Sequence, residues 1–239
     1  MSSSIRHLVV LGCALVGCLA MDSRSCIAQN LLTNGDFANG NTGFSTGYVY
    51  DASSVMFEGF YSIASNPNQV HPYAASFGDH TTGSGLMLVA NGARDPGVVV
   101  WQELVNVDPN RTYDLSAWLA GWSGPDSLAR LDFRIDGVSL GSLSADATAG
   151  AWTQFVAKWQ SGAGAQASIS IVDLNTDPGG NDFALDDLRF SLHPDVTPIP
   201  ELPSAVTFAL LVVPLVGAAL RLRWRHGWRS THGAGIRTA

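Results

Sequence analysis

Apolar positions in the middle of the chain recur with a period of two, in short runs, and not with the 3.6-residue period of a helix. The runs 85–90, 97–107, 112–121, 128–135, 138–143, 151–159, 166–174 and 183–192 are rich in Val, Ile, Leu, Phe and Trp, with Gly, Pro, Asn and Asp between them. An extended segment with that alternation turns one face inward and the other to water, so each run predicts a β-strand. The sharpest is Leu131-Asp132-Phe133-Arg134-Ile135, followed by Asp136-Gly137 and Val138-Ser139-Leu140. Asp-Gly supplies the left-handed backbone of a two-residue turn, which predicts a hairpin with its apolar face inward. About 160 residues of short strands, with no internal repeat, predict an all-β domain over 29–193: a two-sheet jelly-roll sandwich.

The two ends follow other patterns. Residues 1–7 are polar with one firm positive charge at Arg6, an apolar run follows over 8–20, and Asp22 to Ser25 are polar again. That run is shorter than the roughly 20 residues a bilayer span requires, and the small residues Cys26 and Ala28 fit a cut before Gln29. Residues 1–28 are therefore expected to be a signal peptide. The rival is Leu15-Val16-Gly17-Cys18, which resembles the lipobox of bacterial lipoproteins and would leave a lipid on Cys18. Cys13, Cys18 and Cys26 all precede the cut at Gln29, which excludes a disulfide framework or thiolate metal site from the mature domain. At the other end, a Pro-broken linker over 194–204 leads to an apolar run over 205–220 and a basic tail over 221–239. The run would give roughly 24 Å of helix, a single short transmembrane segment whose arginines place the tail in the cytoplasm and the domain outside.

A Pro-Glu pair (Pro200, Glu201), one helix and the arginines Arg221, Arg223, Arg225 and Arg229, in that order, resemble a PEP-CTERM sorting signal, the substrate tail of exosortase-type membrane enzymes. The resemblance spans about 197–229. It implies Pro200, Glu201, Pro203 and Ser204 as the sorting motif, an exosortase-type enzyme as partner, and release from the inner membrane to the cell surface or medium. There the domain would act structurally or adhesively in an exopolysaccharide or biofilm layer. Leu202 departs from the usual Pro-Glu-Pro-Ser, which leaves open the bond that is cut.

Charge narrows the partners. Between Gln29 and Glu201 stand 19 acidic and 6 basic residues, a net of −13 that the whole-chain value of −7 conceals. Such a surface repels phosphate backbones, so nucleic acid is excluded as a partner, and it leaves carboxylates available for calcium.

The domain opens with Asn30-Leu31-Leu32-Thr33-Asn34-Gly35-Asp36-Phe37 and closes with Phe183-Ala184-Leu185-Asp186-Asp187-Leu188-Arg189-Phe190. These resemble the opening and closing strands of the galactose-binding-like jelly roll found in many bacterial carbohydrate-binding modules. The resemblance implies that the two ends meet, with a structural calcium held by Asp36 and Asp187. It also implies an acidic residue after the opening phenylalanine, where this chain has Ala38. For Asp186 and Asp187 the alternative is ordinary strand-end capping. The segment 76–85, rich in Gly, resembles one in secreted bacterial jelly-roll proteins and puts Asp79 and His80 before a core strand, as hydrogen-bonding partners for a sugar or as ties within the loop. Sugar rings need flat aromatic faces; Tyr73 and Trp122 are expected in exposed loops, and Trp101, Trp118, Trp152 and Trp159 in the core.

No Gly-x-Ser-x-Gly elbow, His-Glu-x-x-His motif or phosphate-cradling glycine loop is present, and no carboxylate pair is marked out for glycoside hydrolysis, so no catalytic residue is expected. Two functions remain: an exosortase-processed surface or matrix protein, and a membrane-anchored carbohydrate-binding module with a defined glycan.

Overall fold

A computed structural model describes residues 28–194. The expected signal peptide, the sorting residues Pro200, Glu201, Pro203 and Ser204, the run 205–220 and the basic tail all lie outside those residues, apart from Ala28. Among the described residues no helix is long and apolar enough to cross a membrane.

Every predicted run forms a strand. These are β3 (Met87–Ala90), β4 (Val99–Asn106), β5 (Thr112–Gly121), β6 (Arg130–Ile135), β7 (Val138–Ser144), β8 (Thr153–Gln160), β9 (Gln166–Asp173) and β10 (Phe183–Leu192). Two strands before them were not predicted, β1 (Val49–Tyr50) and β2 (Phe60–Ala64). They stack in two sheets, ordered β1-β2-β3-β10-β5-β8 and β4-β9-β6-β7. From β3 onward the chain changes sheet at every connection except the β6–β7 hairpin, the winding of a jelly-roll sandwich. That hairpin is the expected one: Ile135 pairs with Val138, and Asp136 and Gly137 take φ of 52° and 78°.

The opening segment departs from expectation. Residues 32–40 form tight turns and no strand, with Asn34 and Phe37 in the left-handed region. The Asn34 amide holds these turns, donating to the carbonyls of Gly40 and Thr42 at 2.9 Å and accepting from Asn39 N at 2.8 Å. The segment still meets the closing strand, as the resemblance implied. Leu31 N donates to Phe190 O at 2.7 Å, Leu188 N donates to Gly35 O at 2.9 Å, and the Asn30 side chain donates to Leu188 O and accepts from Phe190 N.

The main core lies between the sheets around Trp101, Leu131, Phe133, Phe183 and Phe190, with Phe133 stacked on Phe155 at 3.9 Å. A second, smaller cluster of Val55, Val70, Met87, Val89 and Trp122 lies apart from it. Alternation assigns Leu88 and Ala90 of β3 to the main core and Met87 and Val89 to this second cluster, so β3 is buried on both faces. Val55, Val70, Ala74 and Phe77, from the segments on either side of β2, supply cover over that outer face.

Candidate functional site

The site begins at a defect in β10. Asp186 pairs with Trp118 of β5 and Arg189 with Ser116, so Asp187 and Leu188 together oppose the single residue Ala117. This bulge places Asp187 at φ 48° and returns Leu188 to the core, where it is buried. Without it, strict alternation would turn Asp187 inward; with it, the Asp187 carboxylate reaches the outer face of the sheet.

There it meets the Gly-rich loop 76–85. His80 Nδ1 lies 2.7 Å from Asp187 Oδ2, and Thr81 Oγ1 donates to Asp187 Oδ1 at 2.6 Å. The His80 N–H donates to Asp186 Oδ2 at 2.9 Å. Its ring stacks on Trp118, with centroids 3.8 Å apart and 17° between planes, and meets Trp152 edge-on at 5.8 Å. His80 thus both ties the loop to the bulge and rests on the indole.

Asp79, expected as a sugar ligand, is buried and organises the loop instead. Its carboxylate accepts from Gly85 N at 2.6 Å, Thr82 N at 3.0 Å and Thr82 Oγ1 at 3.0 Å. Burial pushes this carboxyl up, but those donors together outweigh it and hold the group below the usual carboxylate range. Asp186 is fully buried and goes the other way: burial lifts its carboxyl to about 7, with the Asp187 N–H opposing and the charges of Asp187 and Asp79 adding.

Beside the bulge lies a pocket of about 490 Å³, lined by Trp118, Ser116, Gln154, Asp187, Arg189 and the opening turn's Asp36, among others. The two aspartates expected to share a calcium therefore share this pocket. As a calcium cage the set falls short. Calcium takes six to eight oxygens. The carboxylates of Asp36 and Asp187 supply at most four, and among the described residues no group of three or more His, Cys, Asp or Glu converges on a metal position.

The aromatic expectations need exchanging. Trp122, expected in an exposed loop, is 2% exposed; it belongs to the second core cluster, and its Nε1 donates to Ala90 O at 3.0 Å. Tyr73 is exposed at 84%, but it packs edge-on against His71 and does not line the pocket. Trp118, expected in the core, is half-buried on the outer face, with one side of its indole against His80 and the rest lining the pocket. Trp101 is buried as expected.

Chemically the pocket offers an indole surface, two carboxylates, the Ser116 hydroxyl, the Gln154 amide and the Arg189 guanidinium, which donates to Ala28 O. Among the described residues no hydroxyl or thiol is hydrogen-bonded to His80 Nε2.

No protein-family model and no curated protein matches the chain. Among solved structures it is similar to a "Family 16 Carbohydrate Binding Module-2", 18% identical, covering 67% of this chain and 99% of that one, with a TM-score of 0.42. It is also similar to the CBM22-1 xylan-binding domain from Paenibacillus barcinonensis Xyn10C, at 13% identity, 69% and 95% coverage and a TM-score of 0.43. A Stig cyclase from Fischerella sp. TAU follows at 10% identity, 70% and 98% coverage and 0.49. At such identities and scores no ligand or activity passes from these proteins to this chain.

Proposed function

We propose that this domain is a non-catalytic glycan-binding module, carried by a protein that is exported and sorted to the cell surface or extracellular matrix. The observation that supports binding is the half-buried Trp118, with His80 stacked on its indole, lining a pocket of about 490 Å³ beside Asp187, Ser116 and Gln154. An indole surface takes the C–H side of a sugar ring, and polar groups around it take the hydroxyls. The test is retention of the full-length chain on a panel of immobilised polysaccharides. Binding to at least one, and about tenfold or greater loss in Trp118→Ala with the melting temperature nearly unchanged, is the expected result; a chain retained by none of them would remove the reading.

The route to the surface rests on the order of Pro200-Glu201, the run 205–220 and the arginines. In this reading the precursor is held at the inner membrane by its C-terminal segment and released by an exosortase-type enzyme near Glu201. The intact mass of the protein recovered from the medium tests it. A species running from Gln29 to about Glu201 is expected, and one that retains 205–239 would sink the route.

A further inference from the structure

We propose, resting on the glycan-binding reading of the Trp118 pocket, that its ligand is a cationic aminoglycan: a sugar chain carrying free, protonated amino groups. Hydrogen-bond capacity is the first argument. Asp36 engages only Oδ1, accepting from Ala38 N at 3.3 Å, and its other oxygen has no partner among the described residues. Each Asp187 oxygen accepts one side-chain hydrogen bond, from His80 or Thr81, and a carboxylate oxygen has room for a second. The strongest unfilled positions on the pocket wall are therefore acceptors, and an ammonium offers three donors in one group.

Charge is the second argument. Two carboxylates line the pocket against one cation, Arg189, whose guanidinium donates to the Ala28 carbonyl. The surrounding domain is strongly acidic, with 19 acidic and 6 basic residues between Gln29 and Glu201, which steers cations toward it. An anionic sugar would face Asp36 and Asp187 directly. A neutral one would desolvate both without matching their charge, whereas a charge-assisted hydrogen bond offsets that cost. The third argument is the indole itself. A cation within about 6 Å of a tryptophan ring is attracted by the ring's negative face, so Trp118 favours the same ligand as the carboxylates.

The experiment compares three trisaccharides on the purified full-length chain by titration calorimetry: tri-glucosamine, its fully N-acetylated counterpart, and cellotriose. Tri-glucosamine is expected to bind about tenfold or more tightly than the other two. That preference should shrink as salt rises from about 20 mM to about 500 mM, because screening weakens charge pairing. Asp36→Asn should reduce the preference several-fold, and Asp177→Asn, in an exposed loop away from the pocket, should leave it intact. Equal binding of the free-amine and acetylated trimers would overturn the aminoglycan and leave glycan binding standing. A preference that persists undiminished in both Asp36→Asn and Trp118→Ala would mean diffuse attraction to an acidic surface, and would also overturn it. If no trimer binds while a polysaccharide of the panel is retained, only this inference fails; if nothing binds, both fail.

Discussion

Trp118 and Trp122 stand four residues apart and exchange the roles that their local sequence assigns them. Trp122 follows the strand in Gly121-Trp122-Ser123-Gly124-Pro125, a segment that predicts an exposed turn. Yet Ala75 N bonds its carbonyl at 3.0 Å, and its ring is covered by Val55, Val70 and Met87. What buries it is a loop about 50 residues earlier in the chain, which no local pattern reports. Trp118 was legible. In 112–121 the inward positions are Tyr113, Leu115, Ala117 and Leu119, so parity alone sends Ser116 and Trp118 outward; the run's overall apolarity masked that signal. The same parity on β8 sends Gln154 outward, to the pocket, and Phe155 inward. A pair of substitutions separates the two aromatic assignments. Gln154→Ala should weaken glycan retention several-fold without lowering the melting temperature, and Tyr73→Ala should leave retention unchanged. Retention lost with Tyr73 and kept without Gln154 would move the site to the 65–77 loop.

At the scale of elements, most strands were legible because they have one face in a dry core and one outside, and β3 as a short run apolar on both faces; the residues that link them were not. β1 has two residues, too few to carry a periodic signal, and β2, between β1 and β3, sends Tyr61 and Ile63 to the main core and Phe60 and Ala64 to the second cluster, so its apolar residues do not alternate with polar ones. The β10 bulge leaves no mark in Leu185-Asp186-Asp187-Leu188 beyond a doubled aspartate, yet it decides which way Asp187 faces. Gly35 is the counterpart of that bulge. A Cβ there would lie 2.1 Å from the Leu188 carbonyl oxygen, which is backbone and held in the bulge, while Gly35 O accepts from Leu188 N. Neither segment can move without breaking the contact that ties the chain's opening turn to its closing strand. Gly35→Ala is therefore expected to cost about 1–3 kcal/mol or more, read as a midpoint shift in urea unfolding. It should also weaken glycan binding, since Asp36 and Asp187 lie on the two sides of that contact. An unchanged midpoint would mean that the opening turn is not part of the cooperative fold.

For the whole molecule, the distribution of carboxylates sets a dependence on pH opposite to that of a domain held together by surface ion pairs. Three buried aspartates are pushed up. Asp173 at the end of β9 is raised by burial against the hydrogen bonds from Tyr48 and Ala93, Asp182 is lifted by burial to about 6, and Asp186 to about 7. Each binds its proton more tightly folded than unfolded, where the ordinary value is 3.8. Between that value and about 7 the native state holds more protons than the unfolded chain, so stability falls as pH rises through the window. The loss across Asp182 and Asp186 together is on the order of several kcal/mol. Asp51, Glu58 and Asp146 are lowered chiefly through hydrogen bonds from their neighbours, and Asp79 is lowered because several such bonds together outweigh its burial. They contribute in the reverse sense: stability present above their ordinary range is lost as pH falls below it. The two groups cross near pH 4 to 5, where the melting temperature should peak. From there it should decline by several degrees toward pH 8, and most of the decline between pH 6 and 8 should vanish in Asp186→Asn, which cannot ionise. A melting curve recorded across that range that stays flat or climbs would mean that a cation, or a rearranged loop 76–85, compensates Asp186 in solution.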